Sequence, residues 1–159
     1  MIYFDIDGVV RDLLTLMGAN PQHWDFEHNG ETLIQFYDRY LYRLRVAPVT
    51  EYYDTITQFT DNPTFITRCK ESWRLPTHDW LSAHFATFRC IFVNEPEEKL
   101  NWLQEGDFLV EDYPGFSDYS QIILIDTPYN QNVYCERRVR TPAELWLYLA
   151  DISYQGREA

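Results

Sequence analysis

Five short apolar runs, set apart by stretches long enough for helices, constrain this chain more than any other feature. Ile2–Phe4, Thr64–Ile66, Cys90–Val93, Phe108–Val110 and Ile122–Ile125 are too short for helices and rich in β-branched or aromatic residues. They also lack a clean apolar–polar alternation, as strands do when both faces of the sheet are covered. Helices are predicted at Val49–Thr60, His78–Phe85, Glu95–Leu103 and Pro142–Asp151. The last opens with Thr141 as N-cap, Pro142 at the first helical position and Glu144 in the first turn. Strands alternating with helices predict an α/β fold: a parallel, three-layer, Rossmann-like sheet.

One stretch breaks the alternation. Leu13 to Arg45 separates the first strand from the next core helix by far more than an ordinary connection. Within it, Leu33, Phe36, Tyr37, Tyr40, Leu41 and Leu44 share one face of a helix predicted over Thr32–Leu44. The expected organisation is therefore a core of residues 1–12 and 46–159 with a small helical cap, 13–45, inserted after the first strand. A chain of 159 residues is enough for one such core.

Composition narrows the function classes. With 45% hydrophobic and 17% aromatic residues the chain is globular, and no apolar run approaches the roughly 20 residues of a membrane span. The first residues carry neither a basic region nor a long apolar one, so no secretion signal is expected. Cys69, Cys90 and Cys135 are too few, and odd in number, for a disulfide framework, and point to a reducing cytoplasm. His23, His28, His78 and His84 have no tight ligand spacing with these cysteines, which argues against zinc. A net charge of −12 repels a duplex nucleic-acid backbone. A small phosphorylated substrate fits only if a divalent cation or local basic residues offset that field.

The chemistry-bearing signal is Asp5-Ile6-Asp7-Gly8-Val9-Val10. Strand period places Asp5 and Asp7 on the same side at the carboxyl end of a buried strand, where ligands of open α/β sheets bind. Two carboxylates that close repel unless a cation or a shared proton intervenes, and Mg²⁺ is the natural partner. Turn capping alone would need only one aspartate. The pair Glu111-Asp112, closing the run Phe108–Val110, makes the same demand for a cation.

Asp5-Ile6-Asp7-Gly8-Val9-Val10 resembles the first motif of the haloacid dehalogenase-like superfamily, whose phosphatases carry D-x-D-G after their first strand. The resemblance implies that Asp5 attacks phosphorus and Asp7 serves as general acid and base, through an aspartyl-phosphate. Thr64-Phe65-Ile66-Thr67-Arg68 resembles the second motif, implying a bond from Thr67 to a phosphoryl oxygen and added charge from Arg68. Lys99 resembles the motif lysine that stabilises the nucleophile and the transferring group, with Lys70 as the other candidate. Phe108-Leu109-Val110-Glu111-Asp112 resembles the fourth motif. By position it implies metal ligation by Asp5, Asp7 and Asp112, with Glu111 holding a bound water or the outer shell; the family more often has Asp where Glu111 stands.

Three further stretches are similar to the 5′(3′)-deoxyribonucleotidase branch of that superfamily. These are Asp79-Trp80-Leu81-Ser82-Ala83-His84-Phe85, Glu111-Asp112-Tyr113-Pro114, and Thr127-Pro128-Tyr129-Asn130 followed by Arg138-Val139. The implied substrate is a deoxyribonucleoside monophosphate; the alternatives are another small cytosolic phosphometabolite or a catalytically silent binding protein. The branch usually has an aromatic where Leu13 stands and a small residue at Arg11. Arg11 is thus a candidate for a phosphate contact, and Trp24, Phe26, Tyr37 and Tyr40 for base stacking, although cap aromatics also serve as the cap's own core.

Overall fold

The computed structural model describes residues 1–158, with side chains described through residue 154. All five expected strands form: β1 (Ile2–Phe4), β2 (Thr64–Arg68), β3 (Arg89–Val93), β4 (Phe108–Glu111) and β5 (Ile122–Ile125). A sixth, β6 (Arg138–Val139), has two residues and no apolar run to announce it. The sheet order is β3-β2-β1-β4-β5-β6, with every neighbouring pair parallel. The chain winds outward from β1 to β3, then restarts at β4 on the other side of β1. Phe4 lies level with Phe65 on one side and Val110 on the other. The strand order reverses between β1 and β4, which opens a crevice at their carboxyl ends.

Residue alternation divides the sheet between two apolar layers. Phe4, Phe65, Val110, Ile123 and Ile125 face one cluster, and Tyr3, Ile66, Leu109, Ile122 and Leu124 face the other. The first layer is closed by α4 (Tyr53–Phe59), α5 (Glu71–His84) and α6 (Pro142–Glu158) through Ile56, Trp80, Leu81, Leu145 and Leu149. The second is closed by Leu100 and Leu103, at a 3₁₀ segment over Pro96–Trp102, together with Phe116 and Cys135. The helix expected at Glu95–Leu103 is thus a 3₁₀ helix, whose three-residue turn sets Leu100 and Leu103 one above the other.

Other boundaries move for identifiable reasons. Residues 49–52 are not helical because their groups bond to the turn after β1: Thr50 N donates to Val10 O at 3.0 Å and Thr50 Oγ1 to Val9 O at 2.5 Å. Helix α5 starts seven positions before His78 and runs through Pro76, despite proline's poor fit in a helix interior. Trp73, Pro76, Thr77, Trp80 and Leu81 are all buried along it, so tertiary packing overrides the local preference. At α6, Glu144 N donates to Thr141 Oγ1 at 3.2 Å, the cap expected there.

The inserted stretch holds α1 (Leu13–Met17), α2 (Leu33–Arg39) and α3 (Arg43–Val46). The single helix expected at Thr32–Leu44 breaks at Tyr40, whose φ of −144° leaves the helical region. Thr32 and Gln35 form a capping box at the start of α2, with bonds of 2.9 and 3.2 Å. The insert has no core of its own: Leu13, Tyr37 and Leu44 pack with Cys69 and Trp73. No helix among the described residues is long and apolar enough to cross a membrane.

Tyr37 is fully buried in that shared cluster, and its hydroxyl donates to Leu13 O at 2.5 Å. Tyr37→Phe removes that buried bond and should cost about 0.5–1.5 kcal/mol. The readout is a lower urea midpoint with an unchanged slope.

Candidate active site

The site is built where β1 and β4 end side by side. Asp5 N donates to Val110 O at 2.9 Å, which holds Asp5 against β4. The chain then turns sharply, with Ile6 O accepting from Val10 N and Arg11 N at 2.9 Å each. Gly8 sits in this turn at φ +80°, and a Cβ there would lie 1.9 Å from Asp112 Oδ2. Both the backbone conformation and the close approach of the β4 loop demand glycine.

Lys99, 3% exposed, is carried by the 3₁₀ segment into the centre of the cluster. Its Nζ lies 2.9 Å from Asp5 Oδ2 and 2.6 Å from Glu111 Oε2. Burial alone would lower the Lys99 pKa, but the Asp5 and Glu111 carboxylates outweigh it and the ammonium is held above its ordinary range. Glu111 uses its other oxygen to accept from Asp112 N at 3.1 Å and Tyr113 N at 3.2 Å. Both its oxygens are therefore engaged by the protein, and Glu111 braces Lys99 and the loop after β4.

Asp112 accepts from the Tyr129 hydroxyl, and its backbone carbonyl accepts from Asn130 Nδ2 at 3.0 Å. Asn130 also donates to Ile125 O at 2.8 Å and accepts from Arg138 at 3.0 Å, tying the ends of β4, β5 and β6 together. Burial, then the charge of Asp5, pushes the Asp112 carboxyl up to about 7. Burial and then Asp5 also raise Glu111 well above the usual carboxylate range. Asp5 Oδ1 is buried with no hydrogen-bond partner among the described residues. Asp5, Glu111 and Asp112 each place a carboxylate oxygen within 4.8 Å of the others, an all-oxygen set suited to a hard cation.

The remaining candidates separate clearly. Asp7 lies outside that trio and accepts from Arg11, Nε to Oδ1 at 2.6 Å and Nη2 to Oδ2 at 3.1 Å. Thr67 is buried at the end of β2, beside β1. Arg68 is exposed and turns toward the end of β3, with Nε 3.3 Å from Asn94 O. Lys70, the other lysine, pairs with Asp38 of α2 at 2.6 Å.

Arg11 requires a correction. Expected to reach a phosphate, it is 1% exposed, and a guanidinium so buried takes the acceptors around it: Asp7, Leu44 O and Thr77 Oγ1. Tyr37, expected as a stacking platform, is enclosed in the cluster beneath the insert. Tyr40 is exposed beside Arg43 and Tyr42, and Phe26 is half-buried between α1 and α2. Trp24 alone of the four is seen against the site: 46% exposed, with its ring 4.9 Å from Tyr113 and 5.4 Å from Tyr129.

Sequence reasoning gave no role to Tyr129, Asn130 and Arg138. The available signal was the position of Thr127-Pro128-Tyr129-Asn130, directly after a buried strand on the ligand-binding edge of the sheet. No family model matches the chain, and no curated protein matches it. Fold and site together define an α/β protein with a parallel six-stranded sheet and a buried carboxylate–lysine cluster at its switch point.

The raised Asp112 carboxyl sets a sign for stability against pH. The folded group, at about 7, keeps a proton that the unfolded group, at 3.8, has released, so without a cation Asp112 makes stability fall as pH rises through that window. Glu111 acts in the same direction. Thermal melts in chelator should show this slope, and Asp112→Asn should flatten it. Mg²⁺ should raise the wild-type Tm more at the upper end of the window than at the lower. A slope identical in wild type and Asp112→Asn would remove the strain assigned to this carboxyl.

Proposed function

We propose that the chain is a Mg²⁺-dependent phosphomonoesterase of the haloacid dehalogenase-like type, acting through an aspartyl-phosphate on Asp5. The observation that carries this reading is the environment of Asp5: one oxygen on the Lys99 ammonium, the other buried and without a partner among the described residues. A buried carboxylate oxygen without a donor is incomplete until a cation or an electrophile meets it. The order of Asp5, Thr67, Lys99 and Asp112 along the chain, and their arrival at one end of the sheet, support the same conclusion.

In this mechanism an Asp5 oxygen attacks phosphorus while the bond to the leaving oxygen breaks, and Asp7 delivers a proton to that oxygen. Water then attacks the phosphorus of the aspartyl-phosphate and gives a proton to Asp7. The bond to Asp5 breaks, releasing phosphate and restoring both aspartates. Lys99 offsets charge on Asp5 and on the transferring group, and the Thr67 hydroxyl donates to a phosphoryl oxygen. Asp5 and Asp112 are the residues to hold Mg²⁺, which supplies charge neutralisation to the phosphoryl group. Glu111 acts indirectly, through Lys99 and the loop it braces.

For the substrate we propose a deoxyribonucleoside monophosphate. An exposed indole beside Tyr113 and Tyr129, the latter bonded to Asp112, offers a flat apolar surface of the kind a base requires. The three cysteines are free, which suits a cytoplasmic setting.

Asp5→Asn removes the attacking anion, so Mg²⁺-dependent phosphate release should fall by several orders of magnitude, with the far-UV spectrum unchanged. Retention of substantial activity would refute the mechanism. Wild type should also prefer deoxynucleoside monophosphates to sugar phosphates across a substrate panel. Trp24→Ala should erase part of that preference, about 1–3 kcal/mol in kcat/KM, and affect aryl phosphates much less. Equal rates on both classes would leave only the broader phosphatase reading.

A further inference from the structure

Among the described residues, Arg11 is the most completely buried charged group that the proposed chemistry does not use. Its backbone is fixed on both sides, with N bonded to Ile6 O and O accepting from Gly8 N, each at 2.9 Å. From this base the guanidinium reaches acceptors on three separate parts of the fold. Asp7 takes a two-pronged bond, Leu44 O of α3 accepts at 3.3 Å, and Thr77 Oγ1 of α5 accepts at 3.2 Å. The Trp80 ring lies 5.6 Å away.

The exposures of the two partners are unequal. The Arg11 side chain is 1% exposed, whereas that of Asp7 is 28% exposed. The cation is sealed inside, and the carboxylate it grips faces outward. Stability alone explains this poorly, since a buried ion pair is often no better than apolar packing of the same volume. A fork on both oxygens does something packing cannot: it fixes the plane of the carboxylate.

We infer that Arg11 is the positioning residue of Asp7, setting the direction from which Asp7 exchanges its proton with the leaving oxygen and with water. This rests on the role of Asp7 proposed above. It also makes docking of the insert a condition for correct placement, because the Leu44 carbonyl of the insert, with the Thr77 hydroxyl of the core, holds the guanidinium in register. Lysine cannot reproduce the arrangement, since one ammonium cannot bind both carboxylate oxygens in a planar fork.

The test separates proton delivery from folding by using two leaving groups in the same enzyme preparation. Para-nitrophenolate departs readily without a proton, whereas the alkoxide of deoxythymidine monophosphate needs one. With Mg²⁺ present, the kcat ratio of deoxythymidine monophosphate to para-nitrophenyl phosphate should drop by on the order of tenfold or more in Arg11→Lys, with KM values little changed. Thr77→Val removes one acceptor of the guanidinium without touching Asp7, and should lower the same ratio less. Because the ratio cancels the folded fraction, a merely structural role would depress both rates together and leave it unchanged, which would overturn the inference. If Arg11→Lys does not fold, Thr77→Val decides by the same criterion. Wild type inactive on both esters would overturn the proposed function and this inference with it.

Discussion

The Lys99 ammonium, enclosed by Asp5 and Glu111, is the interaction on which the rest of the structure depends. It sits between the ends of two neighbouring parallel strands, each delivering a carboxylate to the same buried space. One lysine cannot balance Asp5, Glu111 and Asp112, and burial, reinforced by the charge of Asp5, raises the Asp112 and Glu111 carboxyls. The protein manages the imbalance with neutral donors: the Tyr129 hydroxyl on Asp112, and the backbone N–H groups of Asp112 and Tyr113 on Glu111. What these donors leave over is the unpartnered oxygen of Asp5. A buried cluster so arranged concentrates negative charge beside an oxygen that no donor among the described residues meets.

Holding four charged groups this close requires rigid surroundings. The turn after β1 supplies part of that rigidity, since Gly8 lets the loop carrying Asp112 approach within reach of the turn backbone. The remainder comes from Arg138 and Asn130, whose bonds join the ends of three strands behind Asp112. Their effect is to keep carboxylates that repel one another from relaxing apart.

Much of this was legible in the sequence, because its strongest signals are local. Buried strands appeared as apolar runs, and the acids at their ends fell where an open parallel sheet places its ligands. Lys99 was legible through its resemblance to the motif lysine, with Lys70 the only other lysine in the chain. What escaped depends on contacts far apart in the chain. No local pattern says that Tyr129 reaches Asp112, seventeen positions away, or that Arg11 turns inward to Leu44 and Thr77. Helix boundaries shifted for the same reason: bonds from Thr50 to the β1 turn removed four residues from α4, and burial of Pro76 extended α5.

The insert does two physically different things, and they explain why its aromatic residues do not act as a group. Its inner side is structural: Tyr37 and Leu44 pack with Trp73 and Cys69, and the carbonyl of Leu44 holds Arg11. Its outer loop places Trp24 over Tyr113 and Tyr129, two rings that belong to the core. Tyr129 is bonded in turn to Asp112, so the indole lies two contacts from the carboxylate cluster. The outer loop therefore touches the ring whose hydroxyl bonds Asp112, while the inner side, through the Leu44 carbonyl, bonds the guanidinium that grips Asp7. The core thus supplies the carboxylate–lysine cluster, and the insert supplies both the anchor of Arg11 and the ring that lies beside Tyr129.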